Sequence, residues 1–229
     1  MWQQGPRGSF QDRTAAWGLA ASGWRGTGFG TVLADFDQDG APDLALVNGR
    51  VERREGPVES GQDPFWGQYA ERNQLFANDG AGHFRDVSAQ NPAFCGTPAV
   101  GRGLAMGDVD GDGAIDLLAT PIAGQARLYR NVVPQRGHWL LVRAVDPALH
   151  RDAYGAQITV RAGGRRWLGW INPGLSYLCS HDPRAHFGLG QAAAVDALEV
   201  LWPDGVQEVF PGRAADQVVV LRKGEGKKP

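Results

Sequence analysis

Two stretches of the chain, "ADFDQDGAPDL" at Ala34 to Leu44 and "GDVDGDGAIDL" at Gly107 to Leu117, each pack four aspartates into nine residues at identical spacing. Close carboxylates repel one another, so a fold that builds this cluster twice must hold each loop open and offset its charge. With the first Asp as position 1, acids stand at positions 1, 3, 5 and 9. They are Asp35, Asp37, Asp39 and Asp43 in the first loop, and Asp108, Asp110, Asp112 and Asp116 in the second. Gly40 or Gly113 takes position 6, and Ala41 or Ala114 takes position 7, where only a backbone carbonyl is on offer. This is the oxygen-ligand layout of a Ca²⁺ loop: hard oxygens converge on one point and a glycine permits the sharp turn. The spacing predicts two Ca²⁺ per chain, each held by four aspartates and the carbonyl of Ala41 or Ala114.

An EF-hand is excluded, because position 12 is Leu46 or Ala119 where that loop needs a bidentate Glu. The flanks are strand-like, which predicts strand–loop–strand sites. Many flexible, partly backbone ligands favour Ca²⁺ over Mg²⁺, and the lack of His or Cys in either loop disfavours Zn²⁺.

The loops belong to a longer repeat. "GFG" and "GRG" each stand seven residues before the first Asp, "FQDRTA" matches "FRDVSA", and "LFAN" matches "LYRN". The first copy carries about twenty extra residues, most simply near 50–72, a stretch rich in Gly, Pro and charge. A repeat of roughly fifty residues made of short apolar runs points to propeller blades or a similar array. The 33 glycines and 8 tryptophans fit an all-β chain rich in turns. After Asn131 the repeat stops, and "VVPQRG" reads as a linker. "HWLLVRAV", "AQITVRA", "RRWLGWI", "ALEVLW", "VQEVF" and "QVVVL" then read as strands of a second β domain. The expected organisation is about two calcium-binding blades over 1–133, then a small sandwich or barrel over 137–223.

Charge and cysteine content narrow the function. Net charge is −2; without the two loops, 17 acids face 23 bases, mostly scattered Arg. The densest group, Arg161, Arg165 and Arg166, reads as a solvated hairpin end, and no nucleic-acid partner is expected. No apolar run approaches the ~20 residues of a membrane span. The opening "MWQQGPRGSF" has neither a basic start nor an apolar stretch, so no signal peptide is read there. Cys95 and Cys179 form no metal motif; they are either a disulfide or two buried thiols.

"DFDQDGAPDL" and "DVDGDGAIDL", preceded by "GFG" or "GRG" and followed by "NQLFANDGAGHF", resemble FG-GAP (VCBS-type) repeats, the calcium-binding blades of integrin-α-like propellers. From His138 to Leu221, "DAYGAQITVRAGG", "HFGLG" and "VDALEVLWPDGV" resemble the ASPIC/UnbV domain. The pairing is typical of bacterial secreted proteins related to cartilage acidic protein. It implies an extracellular or periplasmic place and a calcium-stabilised, non-catalytic interaction or adhesion module with a protein or carbohydrate ligand. Family propellers have more blades than the roughly two read here, which implies further blades or self-association.

The alternative is an enzyme or accessory protein of natural-product biosynthesis, since UnbV-like domains take their name from enediyne gene clusters. Ser180, His181 and Asp182 are its nearest candidate site. Neighbours on an extended chain point to opposite faces, so these three make no triad, and no catalytic residue is assigned. On this reading, replacing His181 by Ala leaves stability nearly intact.

Overall fold

The structure is a computed structural model that describes residues 1–20, 26–59, 62–134 and 136–229. The chain is almost entirely β, in several mostly antiparallel sheets, and among the described residues no sheet closes into a barrel.

After a short hairpin of β1 (Trp2–Gln4) and β2 (Phe10–Asp12), two similar sheet units follow. The first is β3 (Gly28–Ala34), β4 (Asp43–Asn48), β5 (Gln74–Asn78) and β6 (Phe84–Asp86), paired in that order. The second is β7 (Gly101–Gly107), β8 (Asp116–Pro121) and β9 (Arg127–Tyr129). Each aspartate loop joins the first two strands of its unit.

The repeat read from the sequence has a physical counterpart at each match. "GFG" and "GRG" both carry a register irregularity in the pairing of the first two strands. Glycine suits such bulges because it has no side chain to displace. In "FQDRTA" and "FRDVSA" the aspartate folds back on the chain in the same way. Asp12 Oδ1 accepts the Thr14 amide at 2.9 Å, and Asp86 Oδ1 accepts the Ser88 amide at 2.9 Å. The extra residues of the first copy form the connection 49–73, against 122–126 in the second.

The two units pack against each other. Val32, Ala34, Ala45 and Val47 of the first meet Leu104, Leu117 and Ala119 of the second, with Phe94 and Cys95 from the short helix α1 (Pro92–Cys95). The other face of the first unit, Leu44, Phe76 and Phe84, is covered by Met1, Trp17 and Leu19. Among the described residues the other face of the second is left open: Leu118 and Leu128 stand opposite each other in register, 40 % and 57 % exposed.

Beyond the linker lie β10 (His138–Asp146), β11 (Arg151–Asp152), β12 (Gln157–Ala162), β13 (Arg165–Trp170), β14 (Ala185–Gly190), β15 (Ala194–Leu201), β16 (Gln207–Ala214) and β17 (Gln217–Arg222). They make two sheets. In one, β10 lies between β14 and β17, the latter parallel to it, with β11 beside its far end. The other runs β13-β12-β15-β16. Leu140, Val142, Phe187, Leu189 and Leu221 of the first sheet interdigitate with Ile158, Val160, Leu198, Val200 and Phe210 of the second, a sandwich core. Trp202 is sealed in that core, its indole N–H donating to Glu208 at 3.0 Å.

Of the two readings of the cysteines, the thiols hold. Both are free, but only Cys95 is buried, its pKa pushed up to about 11; Cys179 is half-buried, and its thiol bonds the Leu104 carbonyl at 3.1 Å.

Leu104 is wholly buried where the two units meet. Leu104→Ala should cost about 2–5 kcal/mol by chemical denaturation. A loss below about 1 kcal/mol would show that the units do not pack through this side chain.

Candidate metal centres

Each aspartate loop is closed by its own carboxylates, in the same pattern twice. At position 1, Asp35 Oδ2 accepts the Gly40 amide at 2.8 Å, and Asp108 Oδ2 accepts that of Gly113 at 3.0 Å. At position 5, Asp39 and Asp112 accept the amides of Ala41 and Ala114 at 2.8 and 2.9 Å. At position 9, Asp43 and Asp116 accept the amides of Phe36 and Val109 at 3.1 and 3.0 Å. Gly40 and Gly113 sit at φ 95° and 85°, a backbone shape that side chains rarely allow, so position 6 calls for glycine.

The carboxylates converge, though not all eight. Ligand oxygens of Asp35, Asp37 and Asp39 lie within 4.8 Å of one another, and so do those of Asp108, Asp110 and Asp116. Asp43 lies outside the first set, its oxygens held by the Phe36 and Asn78 amides. Asp112 lies outside the second, bonded to Arg136 at 3.2 Å. Ala41 and Ala114 are buried in the loops.

The two loops differ in charge compensation. Burial, with repulsion from Asp39, Asp37 and Asp43, pushes Asp35 up to about 7. The same causes raise Asp43 to about 6, and Asp39 is raised as well. In the second loop Arg130 pairs with Asp110, and the bond from Arg136 holds Asp112 below the usual carboxylate range.

Both loops are walled by the C-terminal region. The Gly137 and Gly190 amides donate to the Asp37 and Gln38 carbonyls at 3.0 and 2.9 Å. His186 Nε2 bonds the Gly113 carbonyl at 3.0 Å, and a side chain at Gly113 would overlap the Trp139 ring. Arg165 is exposed at the hairpin end, as the sequence reads it, and its guanidinium also lies close to Gly40 and 4.8 Å over the Trp167 ring.

With this geometry in place, the comparisons with known proteins fall into register. Residues 62–119, which contain the second loop, match the FG-GAP-like repeat, and residues 146–228 match ASPIC and UnbV. The chain thus matches two family models in succession, the FG-GAP-like repeat and then ASPIC and UnbV. Cartilage acidic protein 1 of Xenopus tropicalis is 29 % identical over 222 residues, 78 % of this chain and 34 % of that protein. The Mus musculus protein of that name is 29 % identical over 242 residues, 86 % and 37 % respectively. The Homo sapiens one is 36 % identical over 110 residues, 46 % and 16 %. The chain thus spans about a third of the length of the first two curated relatives.

In the ASPIC and UnbV region, Ser180, His181 and Asp182 do not assemble. His181 Nδ1 accepts the Met106 amide at 3.1 Å, while the Asp182 carboxylate is gripped by Arg184. His181 is only 5 % exposed, and burial lowers its pKa. The expectation that His181 is dispensable for stability is therefore corrected. Its Nδ1 is an acceptor sealed against β7 of the second sheet unit. The segment around it lies along β3 and β7: Ser176 Oγ accepts the Thr31 amide at 3.0 Å, and Tyr177 packs on Phe29 at 5.2 Å.

Three site residues escaped the sequence reading. Asn78 and Asn131, which end "LFAN" and "LYRN", donate their amides to the second oxygen of Asp43 and Asp116 at 2.8 and 2.7 Å. The repeat marked them without revealing the role. Gln38, at position 4, is 1 % exposed at φ 61°, and its Nε2 donates to the Gly113 carbonyl at 2.8 Å, tying one loop to the other. The signal was Gly111 at the same position of the second copy.

A polar cleft opens beside the loops, lined by Gln38, Arg136, His138, Gln191 and Asp216 among others. Its ionisable groups are already paired: His138 with Asp216 at 2.7 Å, Arg136 with Asp112. Its described lining offers no Ser, Thr, Cys, Lys or Tyr nucleophile.

Two outcomes are expected. His181→Ala strands the Met106 amide and should cost about 1–3 kcal/mol in denaturant melts; an unchanged midpoint would contradict the buried contact. Further, in chelator the folded protein holds the Asp35 proton up to about 7, whereas the unfolded chain releases it near 3.8. Wild type should therefore lose stability relative to Asp35→Asn, a mimic of the protonated form, as pH rises through that window. Melts that keep the two proteins parallel from pH 4 to about pH 7 would refute the raised carboxyl.

Proposed function

We propose that this chain is a calcium-stabilised, non-catalytic interaction module with two Ca²⁺ sites. One site would be held by Asp35, Asp37, Asp39, Asp43 and the Ala41 carbonyl, the other by Asp108, Asp110, Asp112, Asp116 and the Ala114 carbonyl. The observation that carries this reading is the duplicated loop. Two segments that differ at positions 2, 4 and 8 share the hydrogen bonds made by positions 1, 5 and 9 and bring three carboxylates to one point each. In the first loop these anions repel one another in a half-dry setting, an arrangement that a divalent cation relieves.

The two sheet units would be blades of a propeller, and the pairing of FG-GAP and ASPIC and UnbV sequences supports an extracellular or periplasmic place. The exposed pair Leu118 and Leu128, with Ile122 at 52 % exposed, supports a further unit or a second copy packed on that face. A protein or carbohydrate ligand fits a module of this kind. The rival reading, an enzyme or biosynthetic accessory protein, would place its chemistry in the polar cleft. The internal pairing of that cleft's ionisable groups, His138 with Asp216 and Arg136 with Asp112, favours binding.

Calorimetry should find two Ca²⁺ per chain, and Asp37→Ala or Asp110→Ala should each remove one. At a hundredfold excess over Kd each ion should add about 2.7 kcal/mol of stability. A melting temperature indifferent to calcium and chelator would sink the proposal. For the uncovered face, light scattering should detect self-association that Leu128→Asp abolishes. A stable wild-type monomer at high concentration would leave further units as the cover.

A further inference from the structure

We infer that the ASPIC and UnbV region is part of the first metal centre: β14 and the linker fix loop 35–43 in its ligand geometry, so calcium uptake there and docking of the C-terminal region form one coupled equilibrium. This rests on the calcium reading above.

The argument starts from alternation along β14. Phe187 and Leu189 point into the sandwich core, so His186 and Gly188 point the other way, towards the aspartate loops. Two residues apart on one face, they address different loops. His186 bonds the Gly113 carbonyl of the second. Gly188 lies against the first: a side chain there would overlap the Asp35 carboxylate and come within 2.8 Å of Gln38 Cα. The three atoms nearest to such a side chain all belong to loop 35–43. The closest obstacles to a side chain at this position are therefore those of the loop.

Backbone contacts complete the wall. The Gly137 and Gly190 amides hold the carbonyls of Asp37 and Gln38, consecutive residues between the carboxylates of the first cluster. A side chain at Gly137 would also overlap the Gln38 carbonyl. The loop is thus clamped on the linker side and the β14 side, at positions 3 and 4, while its carboxylates at 1, 3 and 5 converge. The Gly113 carbonyl accepts from both Gln38 and His186, so one oxygen joins the first loop, the second loop and β14. Among the described residues, no glycine of β14 lies against the carboxylates of the second loop, whose close neighbour from the sandwich is the Trp139 ring at Gly113. From β14 and the turn before it, it takes the His186 bond and a long one, 3.4 Å, from Arg184 to the Asp108 carbonyl.

Whatever favours the loop's ligand geometry then favours the docked C-terminal region, and the reverse holds by linkage. The test is calcium calorimetry on the full chain, with hydrogen exchange alongside. Gly188→Ala should weaken one of the two sites on the order of tenfold and leave the other near wild type. Arg222→Ala, an exposed change on β17, should alter neither. Saturating calcium should return the near-ultraviolet circular dichroism of Gly188→Ala to that of wild type, which a purely structural defect would not allow. If Gly188→Ala fails to fold, wild type alone decides: the Gly137 and Gly190 amides should exchange faster in chelator than in calcium. Two wild-type affinities in a folded Gly188→Ala, or equal exchange of those amides with and without calcium, would overturn the coupling and leave the calcium reading standing. No calcium uptake by wild type would overturn both.

Discussion

The carboxylate at position 9 is the point on which each sheet unit turns. Asp43 opens β4 opposite Ala34, and Asp116 opens β8 opposite Gly107, so each sits where the loop becomes strand. One of its oxygens accepts the amide of position 2; the other accepts the amide of the asparagine that closes or follows the third strand. Loop and neighbouring strand are thereby fastened to one group. A neutral asparagine offers a single acceptor oxygen and could not face both directions, so the geometry demands an anion. Once that anion is buried beside three others, the fold has created a local excess of negative charge as the by-product of its own wiring. A cation is then the simplest group that satisfies both the geometry and the charge.

The two copies meet this excess differently. In the second, Arg130 and Arg136 stand against Asp110 and Asp112, so part of the compensation is covalently attached. In the first, the guanidinium of Arg165 reaches over from the sandwich and only partly offsets the raised pKa of Asp39. The linker takes part as well. Asn131 gives its amide to Asp116 and its Nδ2 to the Phe36 carbonyl, Arg136 bonds Asp112, and Gly137 bonds Asp37. A segment that reads as a plain connector is stitched to both loops. Identical spacing in sequence therefore does not make identical sites: the first loop has the greater electrostatic demand for an added cation.

What was legible in the sequence was local or periodic. The loops, their register, the bulged "GFG" and "GRG" and the strands of the sandwich all follow from spacing within a few residues or from repetition. What was not legible depends on residues far apart in the chain. Nothing near His181 in sequence announces that its ring will meet the Met106 amide, and a histidine among Ser, Asp and Pro reads as a turn residue. Gln38 hid for a different reason. A glutamine with left-handed backbone breaks the local rule and is tolerated because its side chain finds a buried acceptor in the other loop. The asparagines of "LFAN" and "LYRN" lay between these cases, found by repetition and understood only when their amides were seen to end on Asp43 and Asp116.

The glycine content carries a further lesson. Read from composition, 33 glycines signal turns, yet several lie in or beside strands where no turn occurs. A side chain at Gly30 would come within 2.8 Å of the Leu104 backbone and side chain and of the Arg102 carbonyl, which is how β3 and β7 lie close enough for the two units to share a core. Gly188 and Gly137 do the same between the sandwich and the first loop. Contacts of this kind add little apolar area, so they contribute little to stability through burial. Their effect is geometric: they let main-chain amides reach main-chain carbonyls across a boundary that side chains would hold several ångströms apart. Interfaces built this way tolerate few positions for the partner, because a small displacement breaks the hydrogen bonds without gaining any packing in return. That is the physical reason to treat the aspartate loops and the sandwich as one unit: the backbone of each completes the hydrogen bonding of the other.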